Sequence, residues 1–579
     1  MSRCNAPERV RVRTPVVPTV QSPTTQPPST PSVQSPSVPQ KTNTSQSSTM
    51  SRLITLLGAT TLGGGNLYLL TKQGPVVNEK WGIQISTGAN YNVLGNAIAQ
   101  DSKGNCAAVG QYEKSANFTT TGLSAKPYLL YSVANRGGYV VKLNAATGRL
   151  SWIVDLNTND TNSEDISADH VCFSEEKDVF YVVGTMDGCH LKTKLLQGDS
   201  NWHETSEELA TFNHKSCNAP GVTFALALSA SSGRPTSWNW TASLASKVFE
   251  RSARVAVDRT LTLGVFVARD DKNDGSPYTN LVRITQLDKT TAEKSNEILI
   301  EGASIKDMIF VTGGSYVAVV LETSQEDLTF NVTSYNGALP NSTSGTLASG
   351  LPASCSIIMA LRFTSNSKPF EPAWMVTAPS DELQLNAITE DADSGMFFVG
   401  TILKETQLSH YTANGYETFT AEKSQPKRYS AIGSSDVFVG HILARTETFW
   451  SPAFQPSIIG GDEEDFGHDI DYNRNGDHGG TLMLGAAIKG KSREKNIPTF
   501  GNNMQSVLVS VNPVNGSANY AAVIAGGTDQ VHSLSVSALP RSANGPEAVM
   551  TGAFADAISY RSITMQARGA TDSFILPAT

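Results

Sequence analysis

The chain predicts an all-β fold, a seven-bladed β-propeller closed by its N- and C-terminal strands in one blade, on three observations. First, Asn96–Leu156 reads as two hairpins in series: NAIAQDSKGNCAAVGQY around the turn Asp101–Asn105, then GGYVVKLNAATGRLSWIVDL around Asn144–Gly148. Short β-rich runs bounded by Gly, Asn and Asp turns are hairpins. Two in series make a four-stranded antiparallel unit the size of one blade. Second, the unit recurs loosely along the chain. Third, the copies are offset, with a second-type hairpin standing before any first-type one.

The first hairpin returns at His170–Gly184, Arg254–Ala268, Lys306–Val320, Leu385–Gly400, His468–Gly485 and His532–Gly552. The second returns at Val222–Trp240, Asn280–Ile300, Ser356–Val376, Asp436–Phe454 and Ser506–Ile524. The extra copy is Asn66–Ser86, and SFILPAT at Ser573–Thr579 has the look of the start of one more. An open strand edge at the seam of a ring is a liability. Pairing Asn66–Ser86 with the blade begun at His532 removes it, and the hairpins then balance at seven of each kind.

Three segments follow: residues 1–52, an arm; 53–65, a connector; 66–579, the propeller. Residues 1–50 hold nine of the 27 prolines and no aromatic residue. Such a Pro/Ser/Thr-rich stretch has no core to bury and predicts an extended or disordered arm. Its Arg cluster suits a tether to a neighbour. Met50-Ser-Arg followed by LITLLGATTLGG has the form of a short signal core, and would direct secretion if translation began at Met50. Leu53–Leu62 is too short to span a bilayer. The reading preferred is that Leu53–Leu57 packs on the propeller and Gly63–Gly65 is a hinge.

The formal charge is −9, but residues 1–52 carry six bases and one acid, leaving 38 basic and 52 acidic groups beyond. A body that acidic excludes nucleic acid as a partner. Six cysteines in 579 residues make no disulfide framework.

Long insertions fall between the first and second hairpins of four blades, at Glu113–Arg136, Thr185–Gly221, Leu321–Ser354 and Thr401–Ser435. In a propeller these connections emerge on one face, so four long loops should crowd it. Insertions concentrated on one face mark a contact surface.

The blade AIAQDSKGNCAAVGQY…GGYVVKLNAATGRLSWIVDL resembles the SBBP-type β-propeller repeat. The matching residues are Ile98, Asp101, Gly104, Asn105, Gly110, Gly138, Val141, Lys142, Leu143, Asn144, Gly148 and Trp152. The resemblance implies a propeller, usually in secreted or surface proteins, and no particular activity. An extracellular, cell-surface or virion location is therefore favoured over a cytoplasmic one. Leu143–Trp152 also resembles the tryptophan-docking motif of quinoprotein dehydrogenases, which repeat it in most blades; here it occurs once.

Candidate chemistry is sparse. Asp471, Asn473 and Asn475, followed by Gly476, match the opening of a calcium loop, but Leu482 stands where the closing Glu belongs. The same residues suit an ion-free hairpin turn. Cys189 and Cys217 are a disulfide candidate within one insertion, with two free thiols the alternative. Asp462–Asp465 is an acidic cluster best read as a solvated loop, and no catalytic signature appears. Trp81, Trp152, Trp238, Trp240, Trp374 and Trp450 fall in the outer half of second hairpins and suit packing between blades.

The expected function is a non-enzymatic scaffold or protein-binding propeller, one component of a larger assembly such as a surface layer, extracellular fibre or virion. It would meet protein partners through the loop-bearing face and the arm, with no cofactor beyond the calcium candidate. The alternative is a secreted carbohydrate-binding or carbohydrate-processing propeller with a site in its central channel.

Overall fold

The computed structural model describes residues 81–578 apart from internal segments, the longest being 492–503. The arm, the connector and residues 66–80 lie outside the described residues. The described chain is strand, turn and bend with no α-helix, and its sheets are arranged as a β-propeller.

Each sheet begins with an inner strand and builds outward by antiparallel pairing. Ile166–Ser174, Val179–Met186, Gly221–Ser229 and Pro235–Leu244 form one sheet; Leu383–Glu390, Met396–Ile402, Asp436–Ile442 and Ser457–Ile459 form another. Three sheets have six strands. The first runs Ala253–Val257, Val265–Lys272, Asn280–Leu287, Lys294–Glu301, Leu328–Ser334, Asn341–Ala348. The second runs Ala303–Val311, Tyr316–Thr323, Cys355–Arg362, Glu371–Pro379, Ser409–Thr412, Thr420–Ser424. The third runs Phe466–Asn473, Thr481–Ile488, Gln505–Val511, Ala518–Gly526, Ala557–Tyr560, Ile563–Gln566.

The ten-stranded sheet contains both ends of the described chain. It runs Val531–Ala538, Ala548–Phe554, Asp572–Ala578, Gly82–Ser86, Asn105–Thr121, Tyr128–Asn144, Leu150–Asn157, His190–Gln197, Glu207–Asn213, and Val93–Gln100 joins it on Asn105–Thr121. Gly82–Ser86 is hydrogen-bonded on both edges, with Ile83 opposite Ile575 and Thr120. The C-terminal run Asp572–Ala578 is thus the third strand of its blade, and the N-terminal one the fourth. The sequence pattern instead assigns both positions to Asn66–Ser86.

Burial explains the sequence pattern. Strands in the middle of a sheet are covered on both faces by neighbouring sheets and read as apolar runs, as in VFYVVGTM and TLMLGAAI, buried throughout. Inner strands alternate, as in VLGNAIAQ. The core is divided into seven clusters, six lying between two adjacent sheets and one within the ten-stranded sheet. Ala387, Phe397 and Val439 meet Ile470, Leu484 and Val507, for example. Full burial of each Val, Leu, Ile or Phe among them stabilises by about 1.5–3 kcal/mol.

The described parts of the insertions are mostly strands rather than loops on a face. The strands His190–Gln197 and Glu207–Asn213, from the Thr185–Gly221 insertion, form a ribbon that pairs with Leu150–Asn157, the outer strand of the preceding blade. The Leu321–Ser354 insertion pairs in the same way with Lys294–Glu301. The Thr401–Ser435 insertion pairs with Glu371–Pro379. The Glu113–Arg136 insertion extends the ribbon Asn105–Thr121/Tyr128–Asn144, which clamps Gly82–Ser86. A further ribbon, Ala557–Gln566, which the repeat pattern does not predict, pairs with Ala518–Gly526. The expectation failed because an outer strand leaves a row of N–H and C=O groups unpaired, and a long Ser/Thr-rich insertion satisfies them by adding strands.

Candidate functional site: the central channel

The inner strands converge on two cavities of about 340 and 470 Å³. His170, Asp307, Asp469 and Ser535 line both, so they mark the waist of one channel. Each inner strand has one edge paired in its own sheet and the other facing the axis. Those axial backbone groups need partners, and side chains from the adjacent inner strand supply them.

The stitching runs from strand to strand. Asn96 Nδ2 donates to the Ala168 carbonyl at 2.8 Å. The Val255 amide donates to His170 Nδ1 at 3.4 Å, and Arg254 Nε donates to the Lys306 carbonyl at 2.8 Å. The Ile388 amide donates to Asp307 Oδ2 at 2.9 Å, and Asn386 Nδ2 to the Gly467 carbonyl at 2.6 Å. The amides of Val536 and Ala538 donate to Asp469 Oδ2 and Asp471 Oδ2, both at 2.8 Å. The second oxygens are also held: Met308 N donates to Asp307 Oδ1, Ile470 N to Asp469 Oδ1, and Tyr472 N to Asp471 Oδ1.

Burial dominates the electrostatics. Asp469 is pushed up to about 7 by burial, with the Asp307 and Asp471 charges adding and the Val536 amide opposing. Asp307 and Asp471 are also raised by burial. Burial, then the Arg254 charge, depresses His170 to about 3, so its imidazole is neutral. With Nδ1 accepting from Val255, the ring proton belongs on Nε2.

Asp471 and Asn473 stand on the inner strand Phe466–Asn473, not in the turn after it. Asn473 Nδ2 donates to Gln100 Oε1 and to the Ala538 carbonyl, both at 3.1 Å. Asn475, Cys189 and Cys217 lie outside the described residues. Among the described residues no group of three or more His, Cys, Asp or Glu is placed to hold a metal ion, and Cys106, Cys172 and Cys355 are free thiols. Within the acidic run, Asp462, Glu463 and Glu464 are exposed as expected of a solvated loop, but Asp465 is fully buried.

The tryptophans dock between blades. Trp152 Nε1 donates to the Ala230 carbonyl at 3.1 Å, in the turn of the next blade, and Trp238 Nε1 to the Asp288 carbonyl at 2.9 Å. Trp81 packs on Gly148 in the same relation. Trp450 lies outside the described residues. Sequence reading found these side chains but missed His170, Asp307 and Asp469. Each occurs once, in a strand with no motif around it, and only the ring brings them to one axis.

No helix among the described residues is long and apolar enough to cross a membrane. No protein-family model matches the chain, and no curated protein matches it. Among solved structures, an engineered GH43 glycoside hydrolase with both endo-xylanase and exo-arabinofuranosidase activity aligns with 85% of this chain and 96% of its own. The identity is 9% and the TM-score 0.21, a likeness too slight to carry an argument.

Proposed function

We propose that this chain is a rigid, non-enzymatic propeller scaffold of seven blades, one component of an extracellular, cell-surface or virion assembly. The blade count is supported by cutting the ten-stranded sheet between Gly82–Ser86 and Asn105–Thr121, which leaves a four-stranded blade on one side and a ribbon-extended blade on the other. The core clusters, one per junction between neighbouring blades, support the same count. The SBBP-type resemblance is kept as part of this reading.

One observation carries the scaffold reading: both carboxylate oxygens of Asp307 and of Asp469 already accept backbone amides. A general acid or base has to present an oxygen to substrate. These hold strands instead. The outer ribbons add backbone ladders between consecutive blades, which suits a part that bears load rather than one that opens and closes. Protein partners would meet the ribbons and the N-terminal arm. Cross-linking within the native assembly tests this. Stoichiometric contacts at residues 113–136 and 185–221 are expected; an isolated, unassembled chain indifferent to loss of the ribbons would overturn it.

A second reading rests on Asp469. A carboxyl raised to about 7 beside two other aspartates in a polar channel has the character of a proton donor. A carbohydrate-binding or carbohydrate-processing channel would require glycan-array binding, or hydrolysis abolished by Asp469→Asn. Silence in both removes it.

A further inference from the structure

The pattern Asn-X-Ser/Thr, the acceptor for an N-linked glycan, occurs seven times in the chain. Asn43, Asn159 and the side chain of Asn341 lie outside the described residues. The pattern does not choose among Asn117, Asn239, Asn331 and Asn515. The fold does, by where it puts the acceptor Nδ2.

Asn331 stands on Leu328–Ser334, the ribbon strand paired with Lys294–Glu301. Alternation along the strand buries Phe330 and Val332 and turns Asn331 and Thr333 to the opposite, partly exposed face. Ser344 and Ser342, opposite Asn331 and Thr333 on the outermost strand, are exposed. Ser342 Oγ donates to Asn331 Oδ1 at 3.2 Å and lies 2.9 Å from Thr333 Oγ1. The carboxamide oxygen is thereby held within the ribbon, and Nδ2 donates to no described residue.

Asn515 repeats the arrangement in the turn between Gln505–Val511 and Ala518–Gly526. It is exposed, and its Oδ1 accepts the Ser517 amide at 3.0 Å and Ser517 Oγ at 2.8 Å. Gly516, at φ +80°, folds this short sequence back on itself. Its Nδ2 also donates to no described residue. The other two acceptors differ. Asn117 has its Oδ1 buried, on a strand hydrogen-bonded along both edges. Asn239 Nδ2 is engaged, donating to the Ser237 carbonyl at 3.1 Å.

We propose that Asn331 and Asn515 carry N-linked glycans. The donor is a glycosyl diphosphate, used by a transferase of the producing cell. Nδ2 attacks the anomeric carbon, the new N–C bond replaces the C–O bond to the diphosphate, and the amide proton leaves with the diphosphate. The inference rests on the extracellular, cell-surface or virion reading, since such a glycan marks a surface chain. It also gives the outer ribbon a protection it needs. Ser342–Thr346 is exposed on the last strand of its sheet, and an open strand edge pairs with other chains. A bulky hydrophilic group on the adjoining strand keeps a second sheet away.

Peptide mass spectrometry of chains taken from the native assembly tests this, before and after peptide-N-glycosidase in heavy-oxygen water. That enzyme turns a glycosylated asparagine into labelled aspartate. Glycan mass and label are expected at Asn331 and Asn515 and not at Asn117 or Asn239. Thr333→Ala should lose the Asn331 glycan while Thr333→Ser keeps it, with Asn331 itself untouched. An unmodified Asn331 or Asn515 in chains recovered from a surface or particle would overturn the inference and leave the location standing. Unmodified chains confined to the cytosol would overturn both. Equal modification of all four asparagines, or a glycan at Asn331 that survives Thr333→Ala, would also count against it.

Discussion

The Lys142 ammonium lies 2.7 Å from Asp101 Oδ2, and both side chains are buried. Lys142 Nζ also donates to the Ala230 carbonyl of the next blade at 2.7 Å, the same oxygen that accepts from Trp152 Nε1. Burial alone would raise Asp101, but the bonds from Lys142 and Asn105 outweigh it and hold the carboxyl below its usual range. His441 Nε2 and Asp391 Oδ2 make a buried contact at 2.6 Å in another blade. Asp101, Asn105, Lys142 and Trp152 of the repeat motif thus form one contiguous lock.

Lys142→Met should destabilise the protein by about 3–5 kcal/mol, since it leaves the Asp101 carboxylate buried without its cation. Adding Asp101→Asn should restore part of that loss. Denaturant unfolding of both variants measures it. Because Asp101 is depressed, its contribution is full above the unfolded aspartate value and fades as pH falls through the folded one.

Trp152→Ala should cost about 3–5 kcal/mol, from the cavity left between two blades. A backbone contrast sharpens this. Gly148 has φ +68° and a Cβ there would lie 2.3 Å from Trp81, whereas Gly104, at φ +76°, has open space. Gly104→Ala should cost only the left-handed backbone penalty, roughly 1–2 kcal/mol. Gly148→Ala adds overpacking of about 1–3 kcal/mol. The two melting curves should separate accordingly.

Thermal stability should be higher at pH 6.5 than at pH 8.5. Burial raises Asp155 and Asp270 to about 6, and Asp465 and Asp469 to about 7. Acids raised on folding contribute stability that is full below about pH 4 and lost as pH climbs through those values. His170, depressed to about 3, acts in the opposite sense: its contribution is full above the ordinary histidine value and falls below it. Scanning calorimetry across this range checks the sign.

Removing residues 1–87 should open the ring, because it deletes Gly82–Ser86 from between Asp572–Ala578 and Asn105–Thr121. Replacing residues 190–213 by a short turn should uncover the outer edge of Leu150–Asn157 and promote self-association. Light scattering and circular dichroism distinguish these outcomes.

Local sequence alone determined the hairpins. In Asn96–Leu156 the turn residues and apolar runs are set by backbone conformation and two-sided burial, which neighbouring residues report. The tryptophans were legible for the same reason: large apolar side chains at one position of each hairpin need a surface to bury against. Tertiary structure alone decided where the insertions go, because pairing a ribbon with the preceding blade depends on an edge that no local pattern reveals. It also decided the roles of Asp307 and Asp469. A carboxylate reads as solvated until the fold brings a backbone amide from a distant strand to each oxygen, and desolvation by the assembled sheets then shifts its charge.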